Sequence, residues 1–326
     1  MECYASLAAV PELKGPVHLA VGMFDGVHRG HCEVIGGAVQ AARQRGGVAG
    51  VLTFAPHPSR VLRPEHPVLQ ILDAGRKARR IARLGADFLV EEPFTRAFAA
   101  EGSEGFLEKL LRAIPQMEAI HVGRNFRFGR NRTGDVAWLV ARGRELGLHV
   151  FSANAIEADG ERISSTRIRR LLTAGKMETA NALLGYNYLS DGVVEPGRAL
   201  GRELGFPTLN LAWEQELRPA FGVYAVRARC VGAKKWLPGV ANYGVRPTVE
   251  IAEEIPPKLE THLLVPPEEV RAAGLDSGSA LEVEWLRFLR PERKFAGVAE
   301  LREQIAADVA VARFFFAEEK GAADRL

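Results

Sequence analysis

Two histidines, His28 and His31, lie where an apolar run beginning at Val17 changes to a helical pattern running from Cys32 to Arg45. The segment around them reads Val21-Gly22-Met23-Phe24-Asp25-Gly26-Val27-His28-Arg29-Gly30-His31. A helix N-terminus has unpaired N–H groups and the positive end of the helix dipole, so it suits phosphate. Imidazoles there can donate hydrogen bonds to charge that develops on a phosphate in a transition state. The alternative is a glycine turn with one capping and one packed histidine.

Three further segments follow strands of the same predicted sheet at their carboxyl ends. One is a prolyl loop that carries His57 and Pro58, and another, Gly123–Gly129, combines Asn125 with arginines and aromatic residues. The third, Ile163–Arg169, begins a helix with hydroxyl and basic side chains, which makes a second candidate anion site. Since the carboxyl ends of parallel strands meet at one edge of a sheet, we expect these segments to form one site.

Each of these segments also has a structural interpretation. The prolyl loop is then a plain connection, and the serines before Arg167 cap their helix. The arginines are solvated charges, and Phe126 and Phe128 belong to the core. These interpretations do not account for the common placement of all the segments at one sheet edge.

The second half of the chain has a glycine-rich loop, from Gly197 to Phe206, which ends in Pro207-Thr208-Leu209-Asn210. It lacks the Gly-Lys-Ser/Thr of a P-loop. Thr208 and Asn210 alternate in an extended segment and therefore face the same side. Their two neutral oxygens would suit Mg²⁺ that takes its other ligands from phosphate and water. The alternative is a polar strand edge.

Short apolar runs alternate with helical patterns in the first half of the chain. The predicted strands are Val17–Phe24, Val48–Phe54, Phe88–Val90, Ala119–Gly123 and His149–Phe151. The predicted helices are Cys32–Arg45, Arg76–Leu84, Ser103–Ala113, Val136–Leu146, Ser165–Thr173 and Met177–Leu184. This alternation predicts an α/β fold with a doubly wound, Rossmann-like parallel sheet.

From about Gly192 the pattern changes to strands without crossover helices, which is typical of an antiparallel barrel or sandwich. The predicted strands are Gly192–Glu195, Gly222–Val231, Trp236–Val245, Lys258–Val265 and Ala280–Leu289. A long amphipathic helix is predicted from Val298 to about Phe315. We place two domains at residues 1–185 and 186–326.

The composition of the chain is that of an ordinary globular protein, with 47% hydrophobic and 25% charged residues in 326. A net charge of +3 and the absence of a sustained basic face argue against nucleic acid or a membrane surface as partner. The arginines at 76–83 and 124–132 are therefore interpreted as solvated or as neighbours of nucleotide phosphates. No membrane span or signal peptide is expected. Three widely spaced cysteines favour neither disulfides nor a zinc site, so we expect a cytoplasmic protein.

The first-half motifs resemble those of the bacterial bifunctional riboflavin kinase/FMN adenylyltransferase (FAD synthetase) family, and the resemblance spans about Val17 to Arg313. It implies a nucleotidyltransferase domain that joins FMN to the AMP part of ATP and releases pyrophosphate. His28 and His31 would then be catalytic, holding the phosphates and stabilising charge on the α-phosphate. The resemblance further implies two sets of binding residues: Gly22, Phe24, Asp25, Gly30, Ser165, Thr166 and Arg169 for ATP, and His57, Pro58, Asn125 and Arg162 for the flavin.

The Pro-Thr-x-Asn loop, Gly239–Thr248 and Leu259-Glu260-Thr261-His262 resemble the riboflavin kinase domain of the same family. By that resemblance Glu260 is the general base, Gly201, Gly205 and Thr208 bind ATP, and Thr208 and Asn210 hold Mg²⁺. Without it, Glu260 is interpreted as an exposed strand residue, and we expect a structural role for His262. The chain departs from the family pattern over residues 265–279, close to the flavin end of the domain.

The leading hypothesis is a two-step enzyme that makes FMN and then FAD from riboflavin, using ATP and Mg²⁺, with these small molecules as its partners. One alternative is an adenylyltransferase with an impaired kinase domain. The other is a non-catalytic flavin-binding regulator, which would have no need of His28, His31 or Glu260.

Overall fold

A computed structural model describes residues 1–196, 200–245 and 257–323 of the chain. Its contacts divide the chain into two compact units, Met1–Arg167 and Ile168–Leu326. The predicted domain limits, 1–185 and 186–326, concern functional domains and stay a prediction. The helix over residues 177–184 belongs to the second compact unit, where Asn181 donates a hydrogen bond to the Trp285 carbonyl (2.7 Å).

The first unit is a parallel sheet with helices along its connections. Its strands are β1 (Glu2–Tyr4), β2 (Val17–Val21), β3 (Val48–Ala55), β4 (Phe88–Pro93), β5 (Met117–Gly123), β6 (Arg127–Phe128), β7 (Gly134–Asp135), β8 (His149–Ala153), β9 (Glu157–Ala158) and β10 (Glu161–Arg162). Its helices are α1 (Arg29–Gln44), α2 (Pro58–Leu62), α3 (Ala74–Arg83), α4 (Arg96–Ala99), α5 (Ser103–Ala113) and α6 (Val136–Glu145), with 3-10 turns at Leu7–Ala9 and Arg130–Arg132. Helix α7 (Ser165–Thr173) runs on from this unit into the second.

The six strands of the main sheet lie in the order β1-β4-β3-β2-β5-β8, and every pair is parallel. After β2 the chain moves outward to β3 and β4, and it then returns to place β5 on the other side of β2. Such a reversal is a topological switch point, where a crevice opens at the carboxyl ends of the strands. The predicted doubly wound sheet is confirmed. Strand β1 was not predicted, because a strand of three residues, two of them exposed, carries no periodic signal.

Close packing of strand β3 against β4 depends on Gly50. A Cβ at this position would lie 2.1 Å from the ring of Phe88, its register partner, which is 2% exposed. We expect Gly50→Ala to lower the free energy of unfolding by about 1–3 kcal/mol, because the ring has no room to move. Urea unfolding measures this. Gly36→Ala, in helix α1 with no atom within 4 Å of its new Cβ, is the control and should stabilise by up to about 1 kcal/mol.

Two histidines are buried side by side in the sheet, with Nδ1 of His18 3.1 Å from Nε2 of His121. Burial, and then the neighbouring His18, lower the pKa of His121 to about 4. Burial also lowers the pKa of His18. An unfolded histidine titrates near about 6.5, so below that pH the unfolded chain binds more protons than the folded one. The free energy of unfolding must therefore fall as the pH falls from about 6.5 towards 4.

Replacing His121 with glutamine should remove most of this pH dependence. The pKa shift of His121 corresponds to about 3 kcal/mol in the free energy of unfolding. The wild type loses this amount on acidification, and the variant does not. Urea unfolding at about pH 7 and about pH 4.5 measures the difference. His66→Gln, at an exposed position, should leave the wild-type dependence unchanged. An equal pH dependence in wild type and His121→Gln would contradict the expectation.

The second unit is a closed antiparallel barrel with helices beside it. Its helices are α8 (Met177–Leu184), α9 (Leu200–Glu203), α10 (Pro267–Ala272) and α11 (Val298–Ala323). Its strands are β11 (Tyr188–Glu195), β12 (Leu209–Ala212), β13 (Gly222–Cys230), β14 (Leu237–Gly244), β15 (Lys258–Leu263) and β16 (Ala280–Pro291), closed in the order β11-β12-β15-β14-β13-β16. The barrel and its C-terminal helix are confirmed, although α11 continues beyond the predicted end near Phe315.

Aromatic side chains fill the barrel. Trp285, Tyr188, Tyr224 and Tyr243 are fully buried, and the three tyrosine rings lie edge-on or tilted to Trp285 at 4.6–6.2 Å between centroids. Because interior positions alternate with outer ones along each strand, this packing directs the polar residues of the neighbouring strands outward.

Candidate functional site

A cavity of about 510 Å³ opens at the carboxyl ends of β2, β5 and β8, at the switch point of the sheet. It is lined by nine of the predicted site residues: Gly22, Phe24, His28, Gly30, His31, Asn125, Arg162, Ser165 and Thr166. Residues from three separate segments of the sequence, 22–31, 125 and 162–166, thus meet in one cavity.

The two histidines are held at the N-terminus of α1. His28 is the N-cap residue, and its Nδ1 accepts a hydrogen bond from the backbone N–H of His31 (3.3 Å). The two imidazole rings stack with 3.6 Å between centroids, and the ring of Phe24 meets His31 edge-on. This cap also explains why α1 begins at Arg29, three residues before the predicted start. The capping interpretation of His28 is therefore correct, and phosphate binding by the same side chain stays a prediction.

The turn before α1 has an unusual backbone. The φ values of Phe24, Gly26 and Val27 are +49°, +82° and +36°. Residues other than glycine rarely adopt this backbone region. The carboxylate of Asp25 is 2% exposed and accepts hydrogen bonds from the N–H groups of Ile71 and Leu72 (2.9 and 3.3 Å). These contacts hold the turn in place, and they set the Asp25 carboxylate beneath the cavity instead of on its surface.

The second anion-binding segment is tied to this turn. The hydroxyl of Ser165, at the start of α7, donates a hydrogen bond to the carbonyl of Asp25 (2.9 Å). The N-terminus of α7 is thereby joined to the turn that precedes α1. Two helix N-termini, both suited to phosphate, border the same cavity.

Besides Asp25, three predicted residues of the first-half motifs lie outside the lining of this cavity. His57 caps the short helix α2, and its Nδ1 accepts from the N–H of Ser59 (3.2 Å). Pro58 is the first residue of that helix. Arg169 lies one turn into α7, in the second compact unit. Their roles in binding stay predictions.

Two arginines for which the sequence analysis allowed a solvated position are buried. Arg167 is 7% exposed, and its guanidinium donates to the carbonyls of Ala158 and Glu161 (2.9 and 2.8 Å). It therefore holds the β9–β10 hairpin, which carries Arg162 into the cavity. Arg76 is 6% exposed and pairs with Asp73 at 2.9 Å. The periodicity of the sequence does not show whether a helical arginine is buried or exposed, because arginines of both kinds occur on helices.

One segment of the cavity was not predicted: 154–156, which follows β8 and lines the cavity. Arg124 and Arg132 also line it, in the stretch that the sequence interpreted as solvated or as neighbours of nucleotide phosphates. The position of 154–156 directly after a strand of the sheet was a usable signal. The buried Lys77 was also not predicted: it donates to the hydroxyl of Thr53 (3.3 Å), which in turn donates to the Met23 carbonyl (3.0 Å).

The second unit presents a row of polar residues across three barrel strands. Asn210 of β12 lies opposite Glu260 of β15, and Glu260 lies opposite Asn242 of β14. Direct register partners point to the same face, and the buried Leu259 and Thr261 show that the opposite face of β15 is the interior. Glu260 is therefore a half-buried carboxylate on the outer face, between two amides.

Gly201 and Phe206 lie close together in the loop before β12. The backbone N–H of Phe206 donates to the Gly201 carbonyl (2.6 Å), and a Cβ at Gly201 would lie 2.4 Å from the Phe206 carbonyl oxygen. Gly205 has a φ of +88°. His262 fixes the end of the loop, since its Nδ1–H donates to the Pro207 carbonyl (2.9 Å). Burial lowers the pKa of His262, so it serves as a neutral donor. The hydrogen bond fits the structural role expected for His262.

Parts of the predicted motifs lie outside the described residues. These are residues 197–199 of the glycine-rich loop and residues 246–248 at the end of the Gly239–Thr248 segment. The departing segment 265–279, by contrast, is described throughout and contains helix α10, whose Glu269 pairs with Lys235.

A further carboxylate, Glu292, was not predicted. Its Oε1 accepts from the amide of Asn242 at 3.5 Å, and a Cβ at Gly244 would collide with its carboxylate. Burial raises the pKa of Glu292, and the nearby Glu260 raises it further. Glu292 follows β16, which is far from Glu260 in sequence, so only the folded barrel brings the two carboxylates together.

The fold and the candidate sites define a two-domain enzyme: a parallel α/β nucleotidyltransferase unit, and a barrel whose outer face carries a carboxylate opposite two amides. Two family models match the chain in this order, FAD synthetase over residues 10–167 and riboflavin kinase over residues 184–316. The chain belongs to the bifunctional riboflavin kinase/FMN adenylyltransferase family, as its motifs predicted.

Relatives match along most of the chain. A bifunctional riboflavin kinase/FMN adenylyltransferase of Escherichia coli (strain K12) is 36% identical over 93% of this chain and 94% of its own length. That of Bacillus subtilis (strain 168) is 35% identical over 89% of both chains. A crystal structure described as a macrolide-efflux protein from Streptococcus pneumoniae is 28% identical, with a TM-score of 0.83 over 95% of this chain and 98% of that one.

Within the described residues, no helix combines the length and apolar character that a membrane crossing requires.

Proposed function

We propose that this chain phosphorylates riboflavin to FMN and then adenylates FMN to FAD, with ATP as co-substrate in both steps. The observation that carries the proposal is that each family motif forms a site in its own unit. His28 and His31 line the cavity of the first unit, and Glu260 lies in the polar row of the second.

In the adenylation step, an FMN phosphate oxygen attacks the α-phosphorus of ATP and pyrophosphate leaves. No protein nucleophile is needed, so the work is positioning and charge stabilisation. The stacked imidazoles of His28 and His31 lie beside the N-terminus of α1, where they can donate to the phosphate oxygens. Ser165 and Thr166 at the start of α7 would bind the β- and γ-phosphates, and Asn125 and Arg162 would orient the flavin.

In the kinase step, Glu260 would take the proton of the ribityl 5′-hydroxyl as that oxygen attacks the γ-phosphorus, and ADP leaves. Its place opposite Asn210 and Asn242 supports this role, because the alternation along the strand directs the carboxylate to the outer face of the barrel, where a substrate can reach it. The second carboxylate, Glu292, lies beside the same row, and its pKa is raised by burial and by the nearby Glu260.

The residues beside Glu260 fit Mg²⁺. Asn210 is 5% exposed, its Nδ2 donates to the Thr208 carbonyl (3.4 Å), and its side-chain oxygen remains as a hard ligand. Within the described residues, no cluster of three or more His, Cys, Asp or Glu could hold a metal ion. The ion would therefore take most of its ligands from ATP and water, with Thr208 and Asn210 completing the set. When bound, it would neutralise charge on the ATP phosphates.

The experiment that tests the proposal incubates the purified chain with riboflavin, ATP and Mg²⁺ and separates the flavins by chromatography. FAD should accumulate, with FMN as the intermediate. If riboflavin stays unchanged while added FMN becomes FAD, the kinase is impaired, and the altered 265–279 segment is the first place to look. If neither flavin reacts, the flavin-binding regulator replaces the enzyme as the leading hypothesis.

The cellular location and remaining partners are also proposed. We infer a cytoplasmic enzyme whose partners are riboflavin, FMN and ATP, with neither nucleic acid nor membrane as a partner. None of the three cysteines is in a disulfide, which supports a reducing compartment.

A further inference from the structure

A groove of about 520 Å³ runs along the side of α1, between this helix and the edge strand β8. At one end it shares Val34 and the segment 153–156 with the cavity that holds His28 and His31. Its other end is lined by Gly37, Gln40 and Gln44. Gln40 lies about 14 Å along the helix axis from His31, so this end is separate from the cavity.

The floor of the groove is a buried imidazole. His121 is 5% exposed, and its Nε2 is used by His18. Its other nitrogen, Nδ1, lines the groove beside Gly37 and has no hydrogen-bond partner among the described residues. Burial keeps this ring neutral at physiological pH. Because the His18–His121 pair permits either tautomer, Nδ1 is available as a donor or as an acceptor.

An exposed aromatic ring lies against the same imidazole. Phe151 is 47% exposed, and its ring is nearly parallel to that of His121, at 17° and 4.7 Å between centroids. Because Phe151 is so exposed, the imidazole of His121 covers only part of its ring. A planar group that lies edge to edge with His121 would cover another part of the same face of Phe151.

Helix α1 has two adjacent glycines at this point, Gly36 and Gly37, although neither has a positive φ. Glycine weakens a helix interior, so its presence there calls for a packing reason. A Cβ at Gly37 would lie 3.6 Å from Nδ1 of His121. A ligand atom that hydrogen-bonds to Nδ1 must sit about 2.9 Å from it, and a larger side chain at Gly37 would compete for that space.

We propose that this groove is a second binding site, which takes a neutral planar heteroaromatic ring edge to edge with His121 and face to face with Phe151. A ring edge with adjacent donor and acceptor atoms, as in adenine or the pyrimidine end of an isoalloxazine, satisfies Nδ1 in either tautomer. Glu33 is the single charged residue among the described residues that line the groove, so it does not suit a phosphate. The proposal does not depend on catalysis, because a chain inactive in both steps would still bind the ring.

The test counts binding sites on the full chain by isothermal titration. Mg²⁺ and a non-hydrolysable ATP analogue are present at saturation, so that the nucleotide sites are filled. Adenosine is the probe in one arm and riboflavin in the other. Gly37→Leu, which fills the groove, should bind one equivalent less than the wild type in at least one arm. Gly36→Leu is the matched control, since its Cβ meets no atom within 4 Å, and it should keep the wild-type number.

The arm that loses the equivalent identifies the ring as a nucleoside base or a flavin. Equal numbers of sites in the wild type and both leucine variants, in both arms, would overturn the proposal. A second variant guards against a folding defect in Gly37→Leu. Phe151→Ala changes an exposed side chain and should weaken binding at this site at least tenfold, and an unchanged affinity would also overturn the proposal.

Discussion

Replacing Glu260 with glutamine should lower the rate of riboflavin phosphorylation by about 10²–10⁴-fold while adenylation of added FMN continues at the wild-type rate. Glutamine keeps the shape and the neighbouring amides of the row but cannot accept the proton of the attacking hydroxyl. The loss should appear in kcat, since the side chain acts when the proton moves. Following each flavin separately by chromatography measures both steps in one preparation.

The control for this variant is Glu303→Gln, an exposed carboxylate on α11 that has no part in the polar row. It should leave both activities unchanged. If Glu260→Gln kept riboflavin phosphorylation within a few-fold of the wild type, Glu260 would not be the base, and Glu292 would be the next carboxylate to test.

Replacing His28 with asparagine should lower adenylation of FMN by about 10²–10³-fold, because a donor to the charged transition state is lost. Asparagine is a good N-cap residue and can replace the capping role of Nδ1, so α1 should keep its start. The substitution thus separates the catalytic role of the imidazole from its structural role. Phosphorylation of riboflavin should be unchanged, since that step belongs to the second unit.

His149→Asn is the matched control, because it makes the same exchange at the exposed first residue of β8. It should leave adenylation unchanged. A thermal melt of His28→Asn should lie close to that of the wild type. Wild-type adenylation by His28→Asn would show that His28 only caps the helix, which is the structural interpretation of the motif.

The sequence by itself determined the element types, their order and the segments that carry the sites. Parallel strands with crossover helices, and then barrel strands, follow from the period of apolar residues, which is a property of neighbours along the chain. The positions of His28, Ser165 and Asn125 after strands or at helix starts were also local features. They were sufficient to predict a common site at one sheet edge.

Only the tertiary structure decided which of these side chains meet and which charges are buried. It placed the Asp25 carboxylate beneath the cavity against Ile71 and Leu72, and it buried Arg167 under a hairpin. It also brought Glu292 beside Asn242 across the barrel. The contacts of Asp25 and Glu292 join residues far apart in sequence, and burial and hydrogen bonding depend on distance in space. No pattern of neighbouring residues predicts any one of these contacts, because each contact forms only when the sheet and the barrel have folded.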